Sequence, residues 1–380
     1  MAECHGDYKR SEAFAAAGED EGAWTRRAYR QLRGRHQSEY VGESERRRQF
    51  ISGFSGSAGT AFVGMEGAWL WTDSRYLLQA SQQLDTSVWT VMHSLPRQAS
   101  MAEHAAAELP QGSRIGADPW LLPLATYQTL QDKLSSREHV LVPLTNNLVD
   151  ELWDSRPRPP KGKAFAHPVR LSGSSTKEKL ERTRKELREL GASAMVISSL
   201  DEVAWLLNVR GDDIPYNPFV VSYVILTMEE TKWFVDEEKV DESLRASLQD
   251  DGVSIFSYSS LEEHLVLLAK GCGSVLVDPA KCSWKVYMIL TPETKEEMVE
   301  QCKVITQLSP VCTLKAIKTE EELQGFRDAH LKDAAAMVNF LCWIEKAMED
   351  NVHLTEVSAA DKLLEFRKQQ QLAEIKARAS

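Results

Sequence analysis

A chain of 380 residues exceeds one typical hydrophobic core and predicts roughly two to three domains, and its 43% hydrophobic and 27% charged residues are ordinary for a soluble globular protein. A formal net charge of -11 argues against nucleic acid, whose binders carry a basic surplus or a basic face. No apolar stretch approaches the roughly 18 residues of a membrane span, no signal peptide opens the chain, no Asn-x-Ser/Thr site occurs and the six cysteines form no CxxC pair, so a cytosolic chain with free thiols is expected.

Residues 1–35 are rich in Ala, Glu, Arg and Gly without a strand signal and read as an atypical leader, with order beginning near His36. Residues 36–155 alternate strand and helix patterns. Short apolar runs at 60–64 and 68–72 flank a turn and predict a hairpin. Helical spacing follows at 74–84 and 123–135, and strands are expected at 88–92, 114–118 and 139–144. This is an α/β domain. Residues 156–168 carry prolines and basic residues and read as a stiffened linker. A second α/β domain is expected over 169–318. Ser175-x-x-Glu178 and Ser199-x-x-Glu202 read as capping boxes, and strands are expected at 194–198, 219–227, 232–236 and 274–278.

The two domains read as copies. Phe50 with Gly56 matches Trp205 with Gly211, Trp71-Thr72-Asp73 resembles Trp233-Phe234-Val235-Asp236, and Asp118-Pro119 matches Asp278-Pro279, at similar spacings. From Thr319 the pattern turns helical over 321–349 and again over 355–370. Leu323, Phe326, His330, Met337 and Leu341 fall on one face, and His330 is expected to be packed. Two helices cannot bury a core alone, so 319–380 reads as the start of a third domain.

Few motifs carry chemistry. Gly53-x-x-Gly56-x-x-Gly59 fits neither the dinucleotide fingerprint nor a nucleophile elbow and reads as a tight turn into the hairpin, with nucleotide binding as the remote alternative. In Trp71-Thr72-Asp73-Ser74-Arg75-Tyr76, Asp73 or Ser74 can cap a helix. That puts Arg75 in the first turn, an unfavourable place for a cation. Arg75 is therefore either a binder of carbonyl or carboxylate groups or half of a structural ion pair. Asp212-Asp213-Ile214-Pro215-Tyr216-Asn217-Pro218 reads as a proline-rich turn with solvated acids rather than a cation site. The basic run Arg46-Arg47-Arg48 reads as a solvated helix face. No H-E-x-x-H occurs, so a zinc protease of that type is excluded.

HQSEYVGESERRRQFISGFSGSAGTAFVG, WLWTDSRYLLQA, VPLTNNLVDELW, SLDEVAWLLNVRGDDIPYNPFVVSYVIL, KDAAAMVNFLCWIEK and SAADKLLEFR together resemble the eukaryotic three-domain Xaa-Pro aminopeptidases, from about His36 to about Gln371. The resemblance implies two tandem α/β domains of the creatinase/prolidase N-terminal kind, followed by the first helices of an incomplete pita-bread catalytic domain. It implies a hydrolase that releases the N-terminal residue from peptides with proline second. In the family two manganese ions, held by two aspartates, a histidine and two glutamates, activate a bridging hydroxide. The family's Asp-Ser-Gly, Asp-x-Thr-Arg-Thr, His-Gly-x-Gly-His-Gly and Glu-Pro-Gly motifs are not in this sequence. No catalytic residue, metal ligand or bound cofactor is therefore expected in this chain, which should be inactive alone. One role carries over: the arginine of the WTD-x-RY motif, here Arg75, contacts substrate. The family dimerises largely through its catalytic domain, so a homodimer is expected of the full-length form. The alternative function is a non-catalytic binding or regulatory module. The cytoplasm is the expected location, with the membrane-anchored extracellular branch, suggested by DDIPYNPF, as the alternative.

Overall fold

A computed structural model of the chain describes residues 27–31, 34–65, 67–95, 99–292 and 302–379, those of 27–31 and 371–379 as backbone only. The chain divides into two compact units, one of residues 1–166 with 176–316 and the other of 167–175 with 317–380.

The larger unit contains two six-stranded sheets. Runs of Val, Ile, Phe and Trp make most strands, because branched and aromatic side chains pack on a pleated surface. In the first sheet β1 (Arg27–Gln31), β2 (Thr60–Val63), β3 (Ala68–Thr72), β4 (Trp89–His93), β5 (Arg114–Ala117) and β6 (Val140–Pro143) lie in the order β4-β3-β2-β1-β5-β6. β7 (Phe165–Ala166) and β9 (Val209–Arg210) form a separate antiparallel ribbon. The second sheet takes β8 (Ala194–Ile197), β10 (Ser222–Thr227), β11 (Thr231–Val235), β12 (Val253–Ser257), β13 (Ser274–Val277) and β14 (Lys303–Thr306) in the order β12-β11-β10-β8-β13-β14. Strand for strand the pairing directions agree: β1 and β8 are each antiparallel to the following hairpin strand and parallel to β5 and β13. The duplication expected from three sequence matches is thus a duplication of topology, with a repeat of roughly 160 residues.

β1 corrects the leader expectation. RAYRQ lacks the branched alternation of a strand, yet it lies between β2 and β5, pairing Ala28 with Val63 and with Gly116. Its place is given by backbone hydrogen bonds to both neighbours, and those are open to any sequence without proline.

The copies pack through reciprocal helix starts. The helix Leu124–Ser135 has no side-chain cap; Leu124 N and Ala125 N donate instead to Cys282 O and Pro279 O, each at 2.8 Å. The helix Trp284–Leu290 returns the arrangement, with Trp284 N on Leu122 O at 2.7 Å and Lys285 N on Pro119 O at 2.9 Å. Unpaired N–H groups at a helix start need acceptors, and each copy supplies those of the other. Tyr127 stacks on Trp284 with centroids 4.4 Å apart. Leu124 joins the apolar cluster of the second copy, and Trp284 that of the first.

His36 adds a polar staple. It is buried, donates from Nδ1 to Ser198 O at 2.9 Å, and accepts at Nε2 from the Tyr258 hydroxyl at 3.0 Å. Burial pushes its pKa down to about 4.

Further expectations are corrected inside this unit. The basic run is not a solvated face, since Arg47 and Arg48 are 5% and 2% exposed. Arg47 forks onto Asp150 at 2.5 and 3.0 Å and reaches Glu45 at 2.6 Å, while Arg156 joins both acids. A buried arginine is tolerated where such acids or carbonyls meet it, which charge patterning along a sequence does not show. The Ser199-x-x-Glu202 box does not form: Ser199 Oγ turns to Asp201, and Glu202 is buried against Ser309.

In the smaller unit Thr319 caps the helix Glu320–Glu349 in a capping box with Glu322, and this helix runs beside Glu356–Ala379, joined by Arg367 on Asp333 at 2.6 Å. Its apolar residues Leu323, Phe326 and Leu341 are exposed, and so is His330, whose Nδ1 lies 2.8 Å from Phe326 O. The expected packed histidine instead turns back on its own helix.

Candidate functional site

Arg75 sits on a single 3-10 turn, Ser74–Tyr76, at the end of β3. Asp73 caps that turn, with its Oδ1 accepting from Arg75 N at 3.0 Å. The same carboxylate takes the guanidinium in a fork, Nε on Oδ1 at 3.0 Å and Nη2 on Oδ2 at 2.8 Å. These bonds hold the Asp73 carboxyl below its ordinary pKa and the Arg75 guanidinium above its own. The cap answers the misplaced cation: the acid at the N-cap position neutralises it locally. The guanidinium also lies over the Tyr76 ring at 5.2 Å, yet the side chain is 70% exposed. The ion pair, one of the two alternatives drawn from sequence, is present, and the cation is at the same time presented to solvent.

The glycine loop beneath Arg75 has the wrong polarity for phosphate. Its Gly56 and Gly59 carbonyls accept from Arg48 Nη2 and, at 2.9 Å, from Arg48 Nη1. Carbonyls gathered on a cation are the reverse of N–H groups gathered on an anion. Gly53, at φ 74°, closes the helix Arg47–Ser52 in the left-handed region. A Cβ on Gly56 would meet the Phe54 ring at 2.4 Å. The loop is a turn into the hairpin, as its spacing suggests, and a wrap around Arg48 besides.

The acidic turn is also different from its expectation. Asp212 is exposed, but Asp213 is 3% exposed, bonded to Lys239 at 2.6 Å and to Val221 N at 2.7 Å. Burial raises its pKa even so. Nearby, a cavity of about 370 Å³ lies between the copies, lined by His36, Tyr40, Leu200, Asp213 and Tyr258. Of the charged groups on its wall, Glu45, Arg47, Asp150, Arg156, Asp213 and Lys239 are already paired with one another.

Glu202 was not legible as a perturbed acid. It is 3% exposed and accepts from Ser309 Oγ at 2.5 Å; burial pushes its pKa up to about 7, with Asp201 and Asp278 adding to the rise. A carboxyl titrating near neutrality often marks acid–base chemistry. Here Ser309 is fully buried and substrate has no approach, so the group serves the fold. Among the described residues no three His, Cys, Asp or Glu side chains stand together as a metal site. The donor sets of the described residues therefore do not fit a metal centre. No described helix is long and apolar enough to cross a membrane.

The paired sheets and their crossed helix starts define the class. Residues 27–152 and 155–322 each match the creatinase/prolidase N-terminal domain. Aminopeptidase P2 of Arabidopsis thaliana is 38% identical over 358 residues, covering 88% of this chain and 50% of the relative. Xaa-Pro aminopeptidase ApepP of Drosophila melanogaster is 36% identical, covering 87% of this chain and 53% of the relative. The crystal structure of X-prolyl aminopeptidase from Caenorhabditis elegans, a cytosolic enzyme with a di-nuclear active site, superposes with a TM-score of 0.87 at 34% identity, over 95% of this chain and 60% of that one. The chain belongs to the creatinase/prolidase N-terminal domain family, twice over, and is similar to Xaa-Pro aminopeptidases over most of its own length, while it spans about half the length of the curated relatives it matches.

Proposed function

We propose that this chain supplies the substrate-facing front of a metal-dependent aminopeptidase that removes the N-terminal residue from peptides with proline second. The observation that carries this is the asymmetry of the duplicated turn. Asp73 and Asp236 each cap a 3-10 turn and accept from the N–H two residues on, but that residue is Arg75 in the first copy and Glu238 in the second. The scaffold tolerates either charge, so the fold does not require the exposed arginine. A pre-aimed guanidinium suits a peptide carbonyl or terminal carboxylate.

The di-nuclear centre of the Caenorhabditis elegans relative supports metal chemistry for the whole protein, with manganese as the metal we propose. No step is assigned to it on residues of this chain, which we propose does not turn over peptide by itself. The whole protein is proposed to be cytoplasmic, like that relative, and a homodimer. A non-catalytic binding module is the second reading, favoured by the same exposed Arg75.

The test is hydrolysis of an Xaa-Pro peptide by the purified chain with added Mn²⁺. No release of the N-terminal residue is expected; chelator-sensitive release would overturn the proposal that this chain lacks turnover.

A further inference from the structure

Arg48 is a costly way to fill a core. It is 2% exposed, its Nε has no hydrogen-bond partner among the described residues, and burial lowers its pKa to about 10. An apolar side chain of similar volume avoids that desolvation. What arginine alone provides is a rigid fork of donors. Here the fork spans the Gly56 and Gly59 carbonyls, while the guanidinium lies over the Phe54 ring at 4.8 Å. The glycines make the fit: a Cβ on Gly59 would stand 2.7 Å from Arg48 Nη1, and one on Gly56 2.9 Å from the Tyr76 ring.

The loop so held touches the candidate site. Thr72 Oγ1 donates to Ala58 O at 2.7 Å, which ties the loop to the end of β3. Ser57 Oγ and the Tyr76 hydroxyl are 2.6 Å apart, and Phe54 meets Tyr76 edge to face. Tyr76 carries the Arg75 guanidinium on its face. An unbroken run of contacts therefore leads from the buried cation to the exposed one: Arg48, the Gly56–Gly59 carbonyls, Ser57, Tyr76, Arg75. A loop with glycine at every third position is otherwise free to move.

We propose that Arg48 is a positioning residue, which through the glycine loop and Tyr76 fixes the direction in which Arg75 is presented to substrate. This rests on the reading of Arg75 as substrate-facing. The test is arranged so that the two fail separately. The rate at which p-hydroxyphenylglyoxal modifies Arg75, read by peptide mapping of the full chain, reports presentation without any substrate. Affinity for the tripeptide Ala-Pro-Ala, measured by calorimetry, reports the substrate role.

Arg48→Met and Ser57→Ala are expected to change the Arg75 modification rate by about threefold or more, and Arg48→Lys, which keeps the charge and donors but loses the rigid planar fork, by less. Ser57 is exposed, so Ser57→Ala keeps the test alive if Arg48→Met does not fold. Unchanged modification rates in Ser57→Ala and in folded Arg48→Met overturn the positioning role. Equal tripeptide affinity in the parent and Arg75→Ala, or none in the parent, overturns the substrate reading and with it the purpose assigned to Arg48, while the modification rates still say whether Arg48 sets the geometry.

Discussion

At the scale of single residues, the decisive groups are those whose burial no pattern announces. Arg75 was found because a cation at a helix start breaks a local rule, and such a rule is written in neighbouring letters. Arg48, Glu202 and His36 break no local rule. Their partners lie 8 to 222 positions away. Their titration makes a prediction. The folded pKa of Glu202 lies near 7 against an ordinary 4.5, so the folded state keeps a proton that the unfolded state has released, and its contribution is full below about pH 4.5 and lost as pH rises through 7. His36, near 4 against 6.5, contributes in the opposite sense and loses stability as pH falls from 6.5 to 4. Glu202→Gln, which mimics the protonated acid, is therefore expected to be near-neutral at pH 5 and to stabilise by about 1–2 kcal/mol at pH 8.5. Urea denaturation at both values checks this, and an equal effect at the two would refute it.

At the scale of elements, periodicity and punctuation located most strands and helices, because the period-2 and 3.6 patterns are set by the element itself. β1 escaped for the converse reason: its pairing with β2 and β5 is made by backbone, and backbone is the same in every sequence. The helix starts at Leu124 and Trp284 teach a similar lesson. Pro123 precedes the first, and no side chain caps it, since the acceptors come from the other copy. Their packing residue is Trp284, 4% exposed and stacked on Tyr127. Trp284→Ala is expected to cost about 3–5 kcal/mol. Because Trp284 is carried by a helix of the second copy and packs in the apolar cluster of the first, calorimetry should show one transition shifted downward, rather than the second copy melting ahead of the first.

At the scale of the whole molecule, the two-copy plan was legible as offsets between short matches, and the family as long strings. The helical plan of residues 321–349 and 355–370 was legible too, but what covers Leu323, Phe326 and Leu341 is not a property of the helix that carries them. One functional asymmetry emerges only when the copies are laid over each other. Arg75 and Glu238 occupy the same place on the same turn, so a search for repeats also finds where the repeats have parted.

The crossed helix starts bear on a part of the chain that has no strand or helix of its own. Each copy holds its partner by donors and acceptors that do not pass through the residues joining them. Arg156, inside the proline-rich stretch, adds ion pairs to Glu45 and Asp150, both on its N-terminal side. Covalent continuity near Pro159 and Pro160 is then dispensable for cohesion. A chain engineered with a protease site between those prolines and cut there should migrate as two pieces in denaturing gels and elute as one particle from a sizing column. Separation of the pieces on that column would show that the connecting peptide, not the shared helix starts, keeps the copies together.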